Sequence, residues 1–252
     1  MIKAELEYII PEPPRYDDDR STISKEILEH LFDNAVIDRK FNNYLKGKSV
    51  VVVGPAPYVL NQDRVDFINS HDVVVRINKS WPVTEEQSKH IGTRTDVRWH
   101  CGMEHTNNGG PFMIEEMMKD KVEWLCINFP KHLDYFHNDI KKFEELNKNH
   151  NINFHCWSDL ELYISLHTYL GTRMNAGTAA ITDLLFYDIK SLHVMGVTFF
   201  DGGWYKGYKE EGYKLTSDNH AMIPQKKLIK LLVEMDKRLT VDDEVKQAIG
   251  DI

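Results

Sequence analysis

Four short stretches carry residues able to handle an anion, a hydroxyl or a proton. His220 stands in the polar run Ser217-Asp218-Asn219-His220, immediately before the last helical pattern. Its imidazole titrates near neutrality, which suits a general base acting on a hydroxyl. A histidine in a polar loop serves equally well as a plain surface residue. Asn175-Ala176-Gly177-Thr178 precedes an apolar helical segment. It offers backbone N–H groups, a hydroxyl and the positive end of a helix to an anion. The same residues would also make an N-cap with a glycine for tight helix–sheet packing. Gly54-Pro55-Ala56-Pro57 ends an apolar run, and Gly lets the backbone approach a phosphate or simply turn. Asn78 closes a second apolar run. Its amide both donates and accepts, for a base edge or ribose or for an Asx turn.

The elements that must position these groups centre on Lys48 to Asn78. Ser49–Val53 is almost wholly apolar and β-branched, the pattern of a strand buried on both faces of a parallel sheet. A polar helix-compatible segment (Gln62-Ser70) and a second strand (Asp72-Val75) complete a βαβ unit, whose crossover is right-handed. In such sheets ligands lie beyond the carboxyl ends of the strands, where Gly54 and Asn78 both fall. Arg76, inside the second strand, reads as a structural ion-pair partner. The pattern predicts one helix over Ser24-Leu45 and further strands at Asp96-His100, Val122-Asn128, Ile152-His155 and Ser191-Val197. Helices are expected at Pro111-Asp120, His132-Asn149, Asp159-Leu170, Ala179-Tyr187 and Ile223-Arg238. Lys79-Thr95 reads as a polar stretch. Gly102-Gly110 and the glycine- and aromatic-rich Thr198-Tyr205, running on to Tyr213, read as loops. The fold expected is α/β: residues 1–20 form an irregular arm, and residues 21–252 form a single Rossmann-like domain. Its central sheet is mostly parallel and flanked by helices.

The net charge of −8 provides no general basic footprint for nucleic acid or an anionic membrane. Cys101, Cys126 and Cys156 lack CxxC spacing and predict free thiols in a reducing compartment. The N-terminal sequence lacks a signal-peptide pattern, and no apolar run approaches the roughly 20 residues of a membrane span. A cytoplasmic protein is expected. Asp17-Asp18-Asp19 follows prolines and precedes a helix cap, so it reads as solvated surface and not as a metal motif.

Together these segments resemble the sialyltransferases, glycosyltransferase family 29, in the manner of bacterial and viral-looking relatives without an anchor. VVVGPAPYVL through INSHDVVVRIN (Val50 to Asn78) looks like the large sialyl motif. NAGTAAITDLLFYDIKSLHVMGVTFF (Asn175 to Phe200) looks like the small one. Trp204-Tyr205-Lys206, or the neighbouring Tyr208, looks like the short aromatic motif. His220 with Gln225 looks like the motif that pairs a histidine with an acid five residues on. The resemblance implies a GT-A-like Rossmann variant and an inverting, metal-independent transfer from a CMP-activated sugar. No cofactor or metal is expected beyond the nucleotide sugar itself. It implies that Gly54, Pro55, Ala56 and Asn78 contact the nucleotide, with Asn175, Gly177 and Thr178 near the ribose and phosphate. Tyr205 would donate to the leaving phosphate, and His220 would take the acceptor hydroxyl's proton. The chain departs from the pattern at Ala56, where an Asn often stands, at Tyr205 in place of a histidine, and at Gln225 in place of Glu. CMP-sialic acid, a CMP-Kdo-like donor and another nucleotide sugar therefore all stay open. So do two alternatives: a phage-type enzyme glycosylating hydroxymethylated DNA bases, and an inactive nucleotide-binding module.

Overall fold

Val50, Val52, Val73 and Val75 face one apolar layer while Val51, Val53 and Val74 face another, so these strands are buried on both sides. That is the alternation a helix-covered parallel sheet requires. The computed structural model describes residues 23–131, 137–214 and 221–250. The expected N-terminal arm, Asp17-Asp18-Asp19 and His220 lie outside the described residues. Seven strands form one sheet: β1 (Ser49–Val53), β2 (Val73–Ile77), β3 (Val97–His100), β4 (Trp124–Ile127), β5 (Asn153–Cys156), β6 (Ser191–Met195) and β7 (Leu239–Val241). Their order is β5-β4-β3-β2-β1-β6-β7 and every pairing is parallel. In register, Val52 lies beside Val75 of β2 and Val194 of β6.

The single helix expected from Ser24 to Leu45 is two, α1 (Lys25–Asp33) and α2 (Arg39–Leu45). Asp38 breaks it: its Oδ1 accepts from the N–H groups of Lys40 and Phe41, at 2.8 and 3.2 Å, as an N-cap. Ahead of it Val36 turns outward, 64% exposed, its N–H donating to Asp159 Oδ2. Helices α3 (Val65–Asn69), α4 (Glu85–Ile91), α5 (Ile114–Lys119), α6 (His137–Leu146), α7 (Leu160–Leu170), α8 (Ala176–Leu184), α9 (Met222–Met235) and α10 (Asp243–Gly250) complete the described chain. The sequence reading missed α4, although Thr84 and Gln87 form a capping box. It also missed β7 and α10.

His155 of β5 is fully buried between two acids, Asp183 of α8 (Nε2 to Oδ2, 2.8 Å) and Asp38 (Nδ1 to Oδ2, 3.2 Å). Phe41 stacks on its ring at 4.4 Å. Burial alone would depress the His155 pKa, but the two carboxylates outweigh it and hold it at about 9. Burial also raises the Asp183 carboxyl, so the pair keeps its proton. Because the folded pKa of His155 exceeds its unfolded value, its stabilisation is complete below about pH 6.5. It is lost as pH rises through about 9. The unfolding free energy, measured in urea across this range, should fall on the order of 2 kcal/mol. A His155→Leu chain should show a flatter alkaline limb, and equal slopes would contradict this account.

Candidate active site

Strand order reverses between β1 and β6, since β2 to β5 extend to one side and β7 to the other. Beyond such a switch point the loops part and leave a crevice at the carboxyl ends of the strands. Here the two strand ends nearly touch. Gly54 N donates to the Met195 carbonyl at 2.8 Å and Ala56 N to the Gly196 carbonyl at 3.1 Å. A Cβ at Gly54 would overlap the Gly196 carbonyl, and one at Gly196 would overlap that of Gly54. Gly54 therefore lies behind the wall and holds the strand ends together, while Pro55 and Ala56 face the crevice.

On the opposite side Asn175 caps α8, its Oδ1 accepting from Thr178 N at 2.9 Å. Asn175, Ala176 and Gly177 line a narrow chamber of about 50 Å³ with Pro55, Ala56 and Asn78. A Cβ at Gly177 would meet Val197 Cγ1 at 2.7 Å, so glycine is needed there. Thr178, expected at the ligand, is instead fully buried behind this lining, and its amide is used by the cap.

Asn78 stands just after β2 with φ of 49°, in the left-handed region that Asn tolerates. Its Oδ1 accepts from Cys101 N at 2.7 Å, which ties the ends of β2 and β3 together instead of closing an Asx turn. Its side chain also reaches the Tyr208 phenol, whose pKa is raised, chiefly by burial. Asn78 and Tyr208 line both the narrow chamber and a wider one of about 370 Å³. Tyr205 lines neither. It packs with Val51, Val53 and Met195 on the second face of the sheet, its phenol beside Ser80 and Arg76. Its N–H donates to the Pro55 carbonyl, so it props the turn from behind. Arg76 makes no ion pair among the described residues: it donates to the carbonyls of Ile91, Gly92 and Arg94 and to Thr95 Oγ1.

The wide chamber is walled by the two loops read from the sequence. Asn107 joins them, its Nδ2 donating to Glu210 Oε2 at 2.7 Å and its Oδ1 accepting from Glu210 N at 2.9 Å. The Asn107 carbonyl accepts from Lys209 Nζ as well. Beneath the first loop the fully buried Arg98 donates to the carbonyls of Gly109, Pro111 and Phe112. His100 lies there too, its pKa pushed down to about 3 by burial and by Arg98. It is neutral, accepting from Gly102 N at Nδ1 and donating from Nε2 to the Gly110 carbonyl. Phe200, from the sialyl-like stretch, lines both chambers at a φ of 69°, a strained value for a bulky residue.

Ala221 donates its N–H to Thr172 Oγ1 at 3.3 Å. Gln225 of α9 is fully buried, and its Oε1 accepts from Asn175 N at 2.8 Å. An uncharged amide can make this bond in a dry interior without the cost of burying a carboxylate. The residue five positions after His220 thus ties its segment to the cap of α8. Among the described residues, no three of His, Cys, Asp and Glu are grouped to hold a metal ion.

The family model of glycosyltransferase family 29 (sialyltransferase) matches residues 4–161. The chain belongs to glycosyltransferase family 29. No curated protein matches the family 29 chain. Its fold resembles that of the sialyltransferase CstII from Campylobacter jejuni, solved with the substrate analogue cytidine-5'-monophosphate. The TM-score is 0.51 at 14% identity, over 78% of this chain and 80% of that one. A second CstII structure, with trisaccharide acceptor and CMP, gives 0.52 at 13% identity over 77% and 80%. A mammalian sialyltransferase with Gal-beta-1-3GalNAc-ortho-nitrophenol gives 0.52 at 12% identity, over 94% and 92%.

In this family 29 chain the structure brings Pro55, Ala56, Asn78, Asn175 and Gly177 to one crevice. It leaves Gly54, Thr178 and Tyr205 as supports outside the lining. Tyr163, Arg173 and Lys209, which line the wide chamber, were not singled out in the sequence. Tyr163 belongs to a helix whose buried face hides any functional signal, and isolated cations on loops look like solvated surface.

Proposed function

We propose that the chain is a sialyltransferase-type enzyme moving an acidic sugar from a CMP-activated donor to an acceptor hydroxyl. The observation that carries this reading is the crevice at the strand-order reversal, where Pro55, Ala56 and Asn78 face Asn175 and Gly177 across the sheet end. In support, two structures of the similar-fold CstII contain CMP. The phosphate of the nucleotide lies at the narrow chamber, toward the first residues of α8, where helix N–H groups and dipole favour an anion. The sugar extends into the wide chamber, and the acceptor enters beside it.

The acceptor oxygen attacks the anomeric carbon from the face opposite the phosphate. The new C–O bond forms as the bond to the phosphate oxygen breaks, and configuration inverts. His220 takes the proton from the attacking hydroxyl, and the electron pair of the broken bond leaves on CMP. Tyr208, whose phenol is already at the crevice, replaces Tyr205 as the donor to that phosphate. Such donors stabilise developing charge in place, so the transfer proceeds without a metal.

The test is thermal unfolding with CMP, UDP, GDP and TDP. CMP at a hundredfold excess over its Kd should stabilise the protein by about 2.7 kcal/mol, with no comparable response to the others. A response to UDP alone would overturn the donor assignment, and transfer abolished by EDTA would overturn the metal-free route.

A further inference from the structure

Phe199 and Phe200 stand in succession at φ of 55° and 69°, where a side chain carries strain that glycine would not. Burial offsets the strain at Phe199, which is 4% exposed and belongs to the larger apolar layer. Phe200 is only half-buried and, among the described residues, belongs to neither apolar layer. Its ring meets that of Trp204 edge-on, with centroids 6.0 Å apart. Core packing therefore does not account for a bulky ring in this conformation.

The turn that carries Phe200 is firmly fastened. Asp201 N donates to the Thr198 carbonyl at 3.0 Å and Gly203 N to that of Phe200 at 2.9 Å. Thr198 Oγ1 donates to the Asp201 carbonyl at 2.8 Å. The Asp201 carboxylate pairs with Lys226 of α9, the residue after Gln225. Adjacent residues of α9 thus fix the Phe200 turn and the cap of α8. Strain that the surroundings sustain in this way collects where a site needs a group held in place.

Five residues line both chambers: Asn78, Asn175, Ala176, Phe200 and Tyr208. With the phosphate at the narrow chamber and the sugar in the wide one, the bond that breaks crosses among them. Asn78 Oδ1 is taken by Cys101 N, and Asn175 Oδ1 by Thr178 N. Phe200 is the one bulky side chain of the five without a polar atom. At this neck water competes with the acceptor hydroxyl for the anomeric carbon. Water too can attack it and lose a proton, while CMP leaves with the electron pair of the broken bond and free sugar results. An apolar ring takes up the room and offers water no hydrogen bond. The geometry points to Phe200 as a specificity-determining residue that favours transfer over hydrolysis of the donor, by covering the breaking bond against water. The inference rests on the glycosyltransferase reading above and adds to it the selection of the nucleophile.

The experiment supplies CMP-sialic acid and lactose together and measures the ratio of free sialic acid to sialylated lactose. The wild-type chain is compared with Phe200→Gly and Phe200→Leu, and each is also unfolded thermally with CMP. Glycine suits a φ of 69°, so Phe200→Gly removes the ring without asking for a new backbone. Leucine keeps most of the apolar volume. Phe200→Gly should raise the ratio about tenfold and Phe200→Leu by less than about threefold, with CMP stabilising all three chains. An unchanged ratio in Phe200→Gly overturns the inference and leaves the proposed activity standing. An equal rise in both variants also overturns it, because apolar cover would then not be what matters. Loss of stabilisation by CMP in Phe200→Gly overturns it too, since the ring would belong to the nucleotide wall. If the wild type neither releases nor transfers sugar and does not respond to CMP, both readings fall together.

Discussion

Replacing His220 with alanine should lower the rate of sugar transfer by about two to four orders of magnitude, the usual contribution of a positioned general base. CMP should still stabilise the variant, because the base acts on the acceptor's proton and not on the nucleotide. This separation makes the expectation sharp. Ala221 is tied to Thr172, and Gln225 to the cap of α8, so both anchors lie just after the substituted residue, involve neither its side chain nor its backbone, and survive the change. Single-turnover transfer and thermal unfolding with CMP, run side by side, check it. Unchanged transfer would remove His220 from the mechanism; loss of both responses would mean that the substitution disturbs the nucleotide wall.

The second large effect is expected at Gly54. Adding a methyl group there drives it into the Gly196 carbonyl, which is backbone and cannot swing aside. Overpacking of this kind costs about 3 kcal/mol or more when no side chain can yield. Gly202→Ala is the control. Its surroundings are open, and only a φ of +75° opposes the substitution, at a cost of about 1 to 2 kcal/mol. Thermal unfolding of the two variants should therefore differ by several degrees at this chain length. Gly54→Ala should also lose its response to CMP, because the parted strand ends move Pro55 and Ala56. Equal unfolding of the two variants would contradict the close approach of β1 and β6.

Much of this architecture could be read from the residues. The valine-rich strands announce a parallel sheet because only a strand covered on both faces can be apolar throughout. Asn78, Pro55 and Asn175 fall at the crevice because they follow strands or open a helix in such a sheet. What the sequence hid is of two kinds. The helical stripe around Ala35-Val36-Ile37 continues past Asn34, yet Asp38 caps a new helix, Val36 turns outward, and Ala35 and Ile37 reach the core from outside any helix. Tyr205 and Tyr208 differ little as letters in an aromatic loop. Which of them faces the crevice depends on the turn of the chain after the Tyr205 N–H is fixed to Pro55. The buried trio of Asp38, His155 and Asp183 brings together residues far apart along the chain, and no local pattern marks it.

The pairing of β1 with β6 has a consequence for how the molecule is made. Ser49 finds its partner in Ser191, so one wall of the crevice is synthesised long before the other. Sheet pairing of such high contact order comes late and slowly, because a long loop must close before any contact repays it. Strands β1 to β5 can assemble while the rest of the chain is still emerging, but the crevice cannot exist until β6 docks. A nucleotide held between Asn78 and Asn175 would bridge an early-made strand end and a helix made some hundred residues later. Its binding would then report that the longest-range strand pairing of the sheet has been completed.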